Sequence, residues 1–161
     1  MSQNMRVIVF ASQKGGSGKT TLAGHIGVQA ELSGAGPVAL IDTDPQGSLA
    51  KWWNCRESPT PAFLHSAFTN LVHDLDEARA QGFKLIVVDT PPAVTKAISE
   101  VVSLPDLVVV TTRPSPHDLR AVGPPIDICG ARKKPMIFAL TAATPRARIT
   151  LEADVALSQH G

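Results

Sequence analysis

Tyrosine is absent from this 161-residue sequence and aromatic residues make up only 4% of it, which argues against a stacked aromatic platform for nucleic-acid bases. Cysteine is nearly absent too: Cys55 and Cys129 stand far apart and in no CxxC spacing. That excludes a disulfide framework and argues against a structural zinc site, so both are read as buried small hydrophobes in a reducing compartment. An excess of either charge is missing, since 15 Lys+Arg against 14 Asp+Glu leave a net charge of +1. No global field marks a nucleic-acid or membrane partner, and any such binding has to come from a local patch. No apolar run reaches the ~18 residues that cross a bilayer, and Met1 to Arg6 lack the charged-then-apolar layout of a secretory signal. A cytoplasmic protein is expected. Internal repeats, low-complexity segments and linkers are also missing, so residues 1–161 read as one domain, with 43% apolar residues to build its core.

What is present is an alternation of strand and helix. Arg6 to Ala11, Leu85 to Asp89 and Leu107 to Thr111 are short aliphatic runs, apolar on both faces, as strands of a covered parallel sheet are. Val38 to Asp42, announced by Gly34 and Gly36-Pro37, and Pro135 to Leu140 add two more. Between them lie helix-compatible stretches at 19–33, 68–81, 94–103, 117–129 and 150–160. The pattern predicts right-handed βαβ crossovers and a doubly wound α/β fold with a mainly parallel sheet and helices on both faces. Residues 51–67, with Trp52-Trp53 ahead of Pro59 and Pro61, read as a helix end and loop with room for one short strand. The chain stops just after a helical stretch, where such a sheet accepts a further strand and helix; truncation at the C-terminus is an expectation of this reading.

The strongest chemical signal is Gln13-Lys14-Gly15-Gly16-Ser17-Gly18-Lys19-Thr20-Thr21, which follows the first strand and opens the first helix. Its glycines let backbone N–H groups close around a phosphate, and the helix start adds its dipole and unpaired donors. Lys19 supplies charge for β- and γ-phosphates, and Thr20 offers a hydroxyl to Mg²⁺. Gly15, Gly16, Ser17, Gly18, Lys19, Thr20 and Thr21 are therefore candidate ligands of ATP or ADP. An ordinary P-loop has glycine at position 13, where this chain has Gln13, and a second lysine, Lys14, precedes the glycine pair.

The spelling K-G-G-x-G-K-T-T resembles the deviant Walker A loop of the ParA/MinD family of P-loop ATPases. The likeness extends over nearly all of residues 5–161, with four motifs in order, and is nearest to small plasmid-type ParA partition proteins. It implies an ATP hydrolase that forms a nucleotide-sandwich homodimer, with Lys14 reaching across to the phosphates held by the other subunit, in the manner of an arginine finger. By the same resemblance Asp44 in Asp42-Thr43-Asp44-Pro45-Gln46 orients the attacking water, and Asp42 supports magnesium-bound waters. Aspartate also caps helices well, so a capping role for both stays open. Leu85 to Asp89 has the form of a Walker B segment, whose Asp89 would hold Mg²⁺ through its hydration shell. Pro114-Ser115-Pro116-His117-Asp118 resembles the segment by which plasmid-type ParA proteins frame adenine and build the dimer, although a plain proline turn capped by Ser115, His117 or Asp118 reads equally well. The expected catalytic set is thus Lys14, Lys19, Asp42 and Asp44; the metal set is Thr20, Asp42 and Asp89.

The cargo is less legible. Residues 128–151 carry Arg132, Lys133, Lys134, Arg146 and Arg148 and no acid; such a run reads as a solvated face, while the resemblance implies contact with nonspecific DNA through such a patch, which would place the protein at the nucleoid. The last helix carries Glu152 and Asp154 and is no basic lipid anchor, so no membrane partner is expected. An iron-protein relative would need cluster cysteines in motifs this chain does not have. The resemblance implies ATP-driven partition of DNA or positioning of cargo with a ParB-like or other stimulating adaptor. The alternative is a nucleotide-dependent switch with negligible turnover.

Overall fold

A computed structural model describes residues 5–92 and 96–160. In chain order these form β1 (Arg6–Ala11), α1 (Lys19–Leu32), β2 (Val38–Asp42), α2 (Ser48–Asn54), β3 (Ala62–Leu64), α3 (Leu71–Ala80), β4 (Leu85–Asp89), α4 (Lys96–Val101), β5 (Leu107–Thr112), α5 (Pro116–Arg120), α6 (Gly123–Ala131), β6 (Met136–Leu140) and α7 (Arg148–Leu157). The sheet has the order β3-β2-β4-β1-β5-β6, and every pairing is parallel.

Strand composition follows position in the sheet. Val38 to Ile41 of β2, Ile86 to Asp89 of β4 and Val108 to Thr112 of β5 are buried without a break, whereas every residue of edge strands β3 and β6 keeps some exposure. Covering helices on both faces removes the need for a polar side, and this explains the unbroken aliphatic spelling. Phe10, Leu40 and Val87 pack with Leu22, Ile26 and Trp52 from α1 and α2 on one face. Val7, Val9 and Val88 pack with Leu71 and Leu75 of α3 on the other, continued by Val108 and Val110 against Ile126 and Cys129 of α6.

The stretch 51–67 holds the end of α2, a loop and the short strand β3, in keeping with its sequence reading; Trp53 anchors the loop through its indole N–H, which donates to the Pro61 carbonyl at 2.8 Å. Two sequence expectations change. The single helix expected over 117–129 divides at Ala121-Val122 into α5 and α6, since Pro124 and Pro125 lack backbone donors and fit only a first turn. Of the two cysteines Cys129 is buried, with its thiol pKa pushed up by burial, but Cys55 is exposed at the end of α2. The helix expected over 94–103 is seen from Lys96, and its first residues lie outside the described ones.

Helix α1 lies close to the sheet because it carries glycine where contact is tightest. A Cβ at Gly27 would stand 2.3 Å from Leu40 Cδ2, inside the fully buried layer. Gly27→Ala should lower unfolding stability by about 1–3 kcal/mol through overpacking, read as an earlier urea midpoint; an unchanged midpoint would show that α1 shifts freely.

Candidate functional site

Winding from β1 proceeds outward through β2 to β3, returns to β4 beside β1, and then passes to β5 and β6 on the other side. The reversal leaves a crevice at the carboxyl end of β1, the place where open parallel sheets bind ligands. The loop of residues 12–18 crosses that crevice and enters α1 at Lys19. Gly16 and Gly18 have φ of +74° and +81°, values that side chains with a Cβ adopt at a cost. A cavity of about 440 Å³ lies over the loop, lined by Lys14 to Thr21 with Asp44, Gln46, Trp52 and Pro92 on the walls.

Strand register brings the acids of the sequence motifs to this edge. Asp42 of β2 stands beside Asp89 of β4, which stands beside Phe10 of β1. Lys19 Nζ donates to Asp89 Oδ1 at 2.7 Å and Thr20 Oγ1 donates to Asp89 Oδ2 at 2.6 Å. Both charges are hidden, with side-chain exposures of 6% for Lys19 and 1% for Asp89. Burial raises the Asp89 carboxyl above its ordinary pKa, opposed by the Lys19 ammonium and by the bonds from Lys19 and Thr20. A buried acid thus engages the ammonium and the hydroxyl that a phosphate and its metal ion would otherwise engage. This donor set suits Mg²⁺, which takes oxygen ligands, few of them from protein.

Asp42 and Asp44 behave differently from each other. Asp42 Oδ1 accepts the Asp44 N–H at 3.0 Å, and its Oδ2 accepts the N–H groups of Leu49 at 2.9 Å and Ala50 at 3.1 Å. Asp42 therefore accepts two of the free N–H groups at the start of α2, whose N-cap residue is Gly47, and it does not border the phosphate-loop cavity. Asp44 does border it; its Oδ1 accepts the Gln46 N–H at 2.9 Å.

Pro114, Ser115 and Pro116 do not line this cavity. Ser115 caps α5 by accepting the Asp118 N–H, and Asp118 in turn receives Lys14 Nζ at 2.9 Å. The Ser115 hydroxyl and then Lys14 hold the Asp118 carboxyl below the ordinary carboxylate range. The five basic residues of 128–151 flank β6: Arg132 to Lys134 precede it, and Arg146 and Arg148 follow it. Lys134 Nζ is spent on the Pro105 carbonyl at 3.0 Å, and Arg148 pairs with Glu152 at 2.7 Å.

Sequence reasoning missed several residues that shape the loop. Ser17 Oγ and Thr111 Oγ1 are 2.8 Å apart, Thr141 Oγ1 donates to the Ser17 carbonyl at 2.7 Å, and the Arg113 guanidinium donates to the Gly16 carbonyl. Their signal was available, since polar residues ending the aliphatic runs of β5 and β6 fall at the sheet's ligand-binding edge.

Comparison with known proteins agrees with this geometry. The family described as the CobQ/CobB/MinD/ParA nucleotide binding domain matches residues 8–121. A "Maintenance of carboxysome distribution protein A" of Gloeobacter kilaueensis is 42% identical over 71% of this chain and 52% of its own length. A "Protein ParA" of Rhizobium radiobacter is 35% identical over 71% of this chain and 51% of its own. The matches thus span about half the length of these two relatives. The solved structure of pNOB8 ParA bound to nonspecific DNA superposes with a TM-score of 0.74 at 19% identity, covering 96% of this chain and 74% of that one; at that identity the likeness speaks for the fold.

Proposed function

Because the chain belongs to the CobQ/CobB/MinD/ParA nucleotide-binding family, we propose that it is a Mg²⁺-dependent ATPase whose ATP-bound form pairs with a second copy, and whose hydrolysis drives partition of DNA or positioning of another cargo. The observation that carries this reading is the cavity that one glycine-rich loop lines with both Lys14 and Lys19, with Asp44 on its wall.

Residue roles follow from placement. The backbone N–H groups of 15–21 and the start of α1 cradle the phosphates, and Lys19 leaves Asp89 to neutralise them. Thr20, with Asp89 behind it, would hold Mg²⁺, which when bound supplies positive charge to the β- and γ-oxygens. Asp44 orients the attacking water toward the terminal phosphorus. Asp42, beside Asp89 in the sheet, would support the magnesium-bound waters, and its carboxylate also fixes the Asp44 backbone and the start of α2. Lys14 of the second copy places charge where the transition state gathers it. The Pro114–Pro116 segment is proposed for the adenine side and the dimer face, as the family resemblance implies. Nonspecific DNA as partner is supported by the pNOB8 ParA complex, and the relatives named ParA and carboxysome-distribution protein accord with a moving cargo; an adaptor that stimulates turnover is proposed from the family resemblance.

Phosphate release from ATP·Mg²⁺, with and without nonspecific DNA, tests this reading. Turnover that DNA or an adaptor raises supports it, whereas ATP binding with no turnover under any condition would replace it with the nucleotide-dependent switch. Asp44→Ala gives a sharper result. ATP binding and pairing should persist in that variant while hydrolysis falls at least about 100-fold, the typical worth of a positioned acid or base group. Wild-type turnover would leave Asp44 with only its local bond to Gln46.

A further inference from the structure

Arg113, just after β5, and Asp118 of α5 grip the phosphate loop on both sides of Gly15. Lys14 Nζ donates to Asp118 Oδ1 at 2.9 Å, and the Arg113 guanidinium donates to the Gly16 carbonyl. Asp118 is itself anchored: Ser115 Oγ donates to its second carboxylate oxygen and accepts its backbone N–H at 3.1 Å. The acceptor is therefore fixed in place before the lysine arrives, and its side chain is 14% exposed against 36% for Lys14. A preorganised, partly buried carboxylate holds an ammonium better than a freely rotating surface acid does, because less side-chain freedom is lost on pairing. Lysine carries one compact charge at the end of a single stem, so an ammonium seated on its own subunit's Asp118 is withheld from the phosphates of another.

We propose that Asp118 is a positioning residue that keeps Lys14 folded back on its own subunit, so that pairing of two ATP-loaded copies has to draw Lys14 off Asp118. The inference rests on the cross-subunit reading of Lys14 given above and adds to it the group that opposes pairing. Arg113 keeps the loop seated while Lys14 changes partner, since its contact is to the Gly16 backbone and not to any charge.

Two measurements on the full 161-residue chain test this. In the first, solution mass is followed against protein concentration at saturating ATP·Mg²⁺ for wild type, Asp118→Asn and Asp118→Glu. Asp118→Asn should pair at about three- to fivefold lower concentration, the factor that a partly exposed ion pair is worth. Asp118→Glu, which keeps the carboxylate, should return toward wild type; a merely structural role would make both variants pair less well. Pairing by Asp118→Asn that is equal to or weaker than wild type, in a preparation that binds ATP, overturns the proposal. In the second, amine labelling of the wild type without nucleotide, read peptide by peptide in a mass spectrometer, needs no variant to fold. Lys14 should react several-fold more slowly than the exposed Lys84, and equal rates overturn the proposal. A wild-type chain that stays monomeric with ATP while its Lys14 is protected removes the cross-subunit reading, and the opposing role of Asp118 goes with it.

Discussion

Replacing Lys19 by alanine should abolish ATP binding, with affinity falling at least about 100-fold, since charge-assisted hydrogen bonds to a phosphate are each worth roughly 1.5–3 kcal/mol. No neighbour can stand in, because Lys14 is held at Asp118 and Arg113 at the loop backbone. The same change has a second consequence. Asp89 sits among the fully buried groups of the sheet, and Lys19 is its cation. Without Lys19 a buried carboxylate keeps only the Thr20 hydroxyl, so the variant should lose about 3 kcal/mol of stability, as breaking a buried pair usually does. Burial already raises the Asp89 pKa in the folded chain. The folded state therefore holds its proton to higher pH than the unfolded one, and removing Lys19 lifts that pKa further. Stability of the variant should rise as pH falls toward the raised value, where protonation removes the buried charge. Calorimetric titration with ATP·Mg²⁺ and urea unfolding across pH read both effects. Unchanged ATP affinity would remove the phosphate-loop assignment.

Lys14→Ala should fail at a different stage. An ordinary phosphate-loop lysine acts within its own subunit, and its loss would weaken nucleotide binding in a milder copy of the Lys19 change. A lysine that acts across a pair leaves monomer binding nearly normal and removes pairing and turnover instead. A cation of this kind contributes roughly 10³-fold or more to the rate, about 4 kcal/mol. The structure favours separable effects, because Lys14 Nζ bonds to Asp118 while Lys19 Nζ reaches Asp89 beneath the loop.

The fold was legible wherever local chemistry and burial agree. Val38 to Asp42, Leu85 to Asp89 and Leu107 to Thr112 sit between two helical layers, so their sequence carries no polar face and few alternatives. The edge strand β3 was legible only as room for one short strand in 51–67, because three residues against one neighbouring strand need no aliphatic run. The division of α5 from α6 was written in Pro124-Pro125 but reads as a break only once α5 is seen to end at Arg120. At the site, contiguous motifs announced the loop and Asp89, since strand-to-helix geometry fixes them locally. What stayed hidden were contacts between distant segments: Asp118 lies 104 residues from Lys14, and Arg113 lies 97 from Gly16.

The central claim is that ATP joins two copies through Lys14. Its most direct test follows solution mass and phosphate release of wild type and Lys14→Ala together as ATP·Mg²⁺ is added. The account predicts that wild type doubles its mass with ATP but not with ADP and releases phosphate, while Lys14→Ala binds ATP, stays monomeric and releases none above background. A Lys14→Ala chain that doubles its mass with ATP and turns over at the wild-type rate would contradict it.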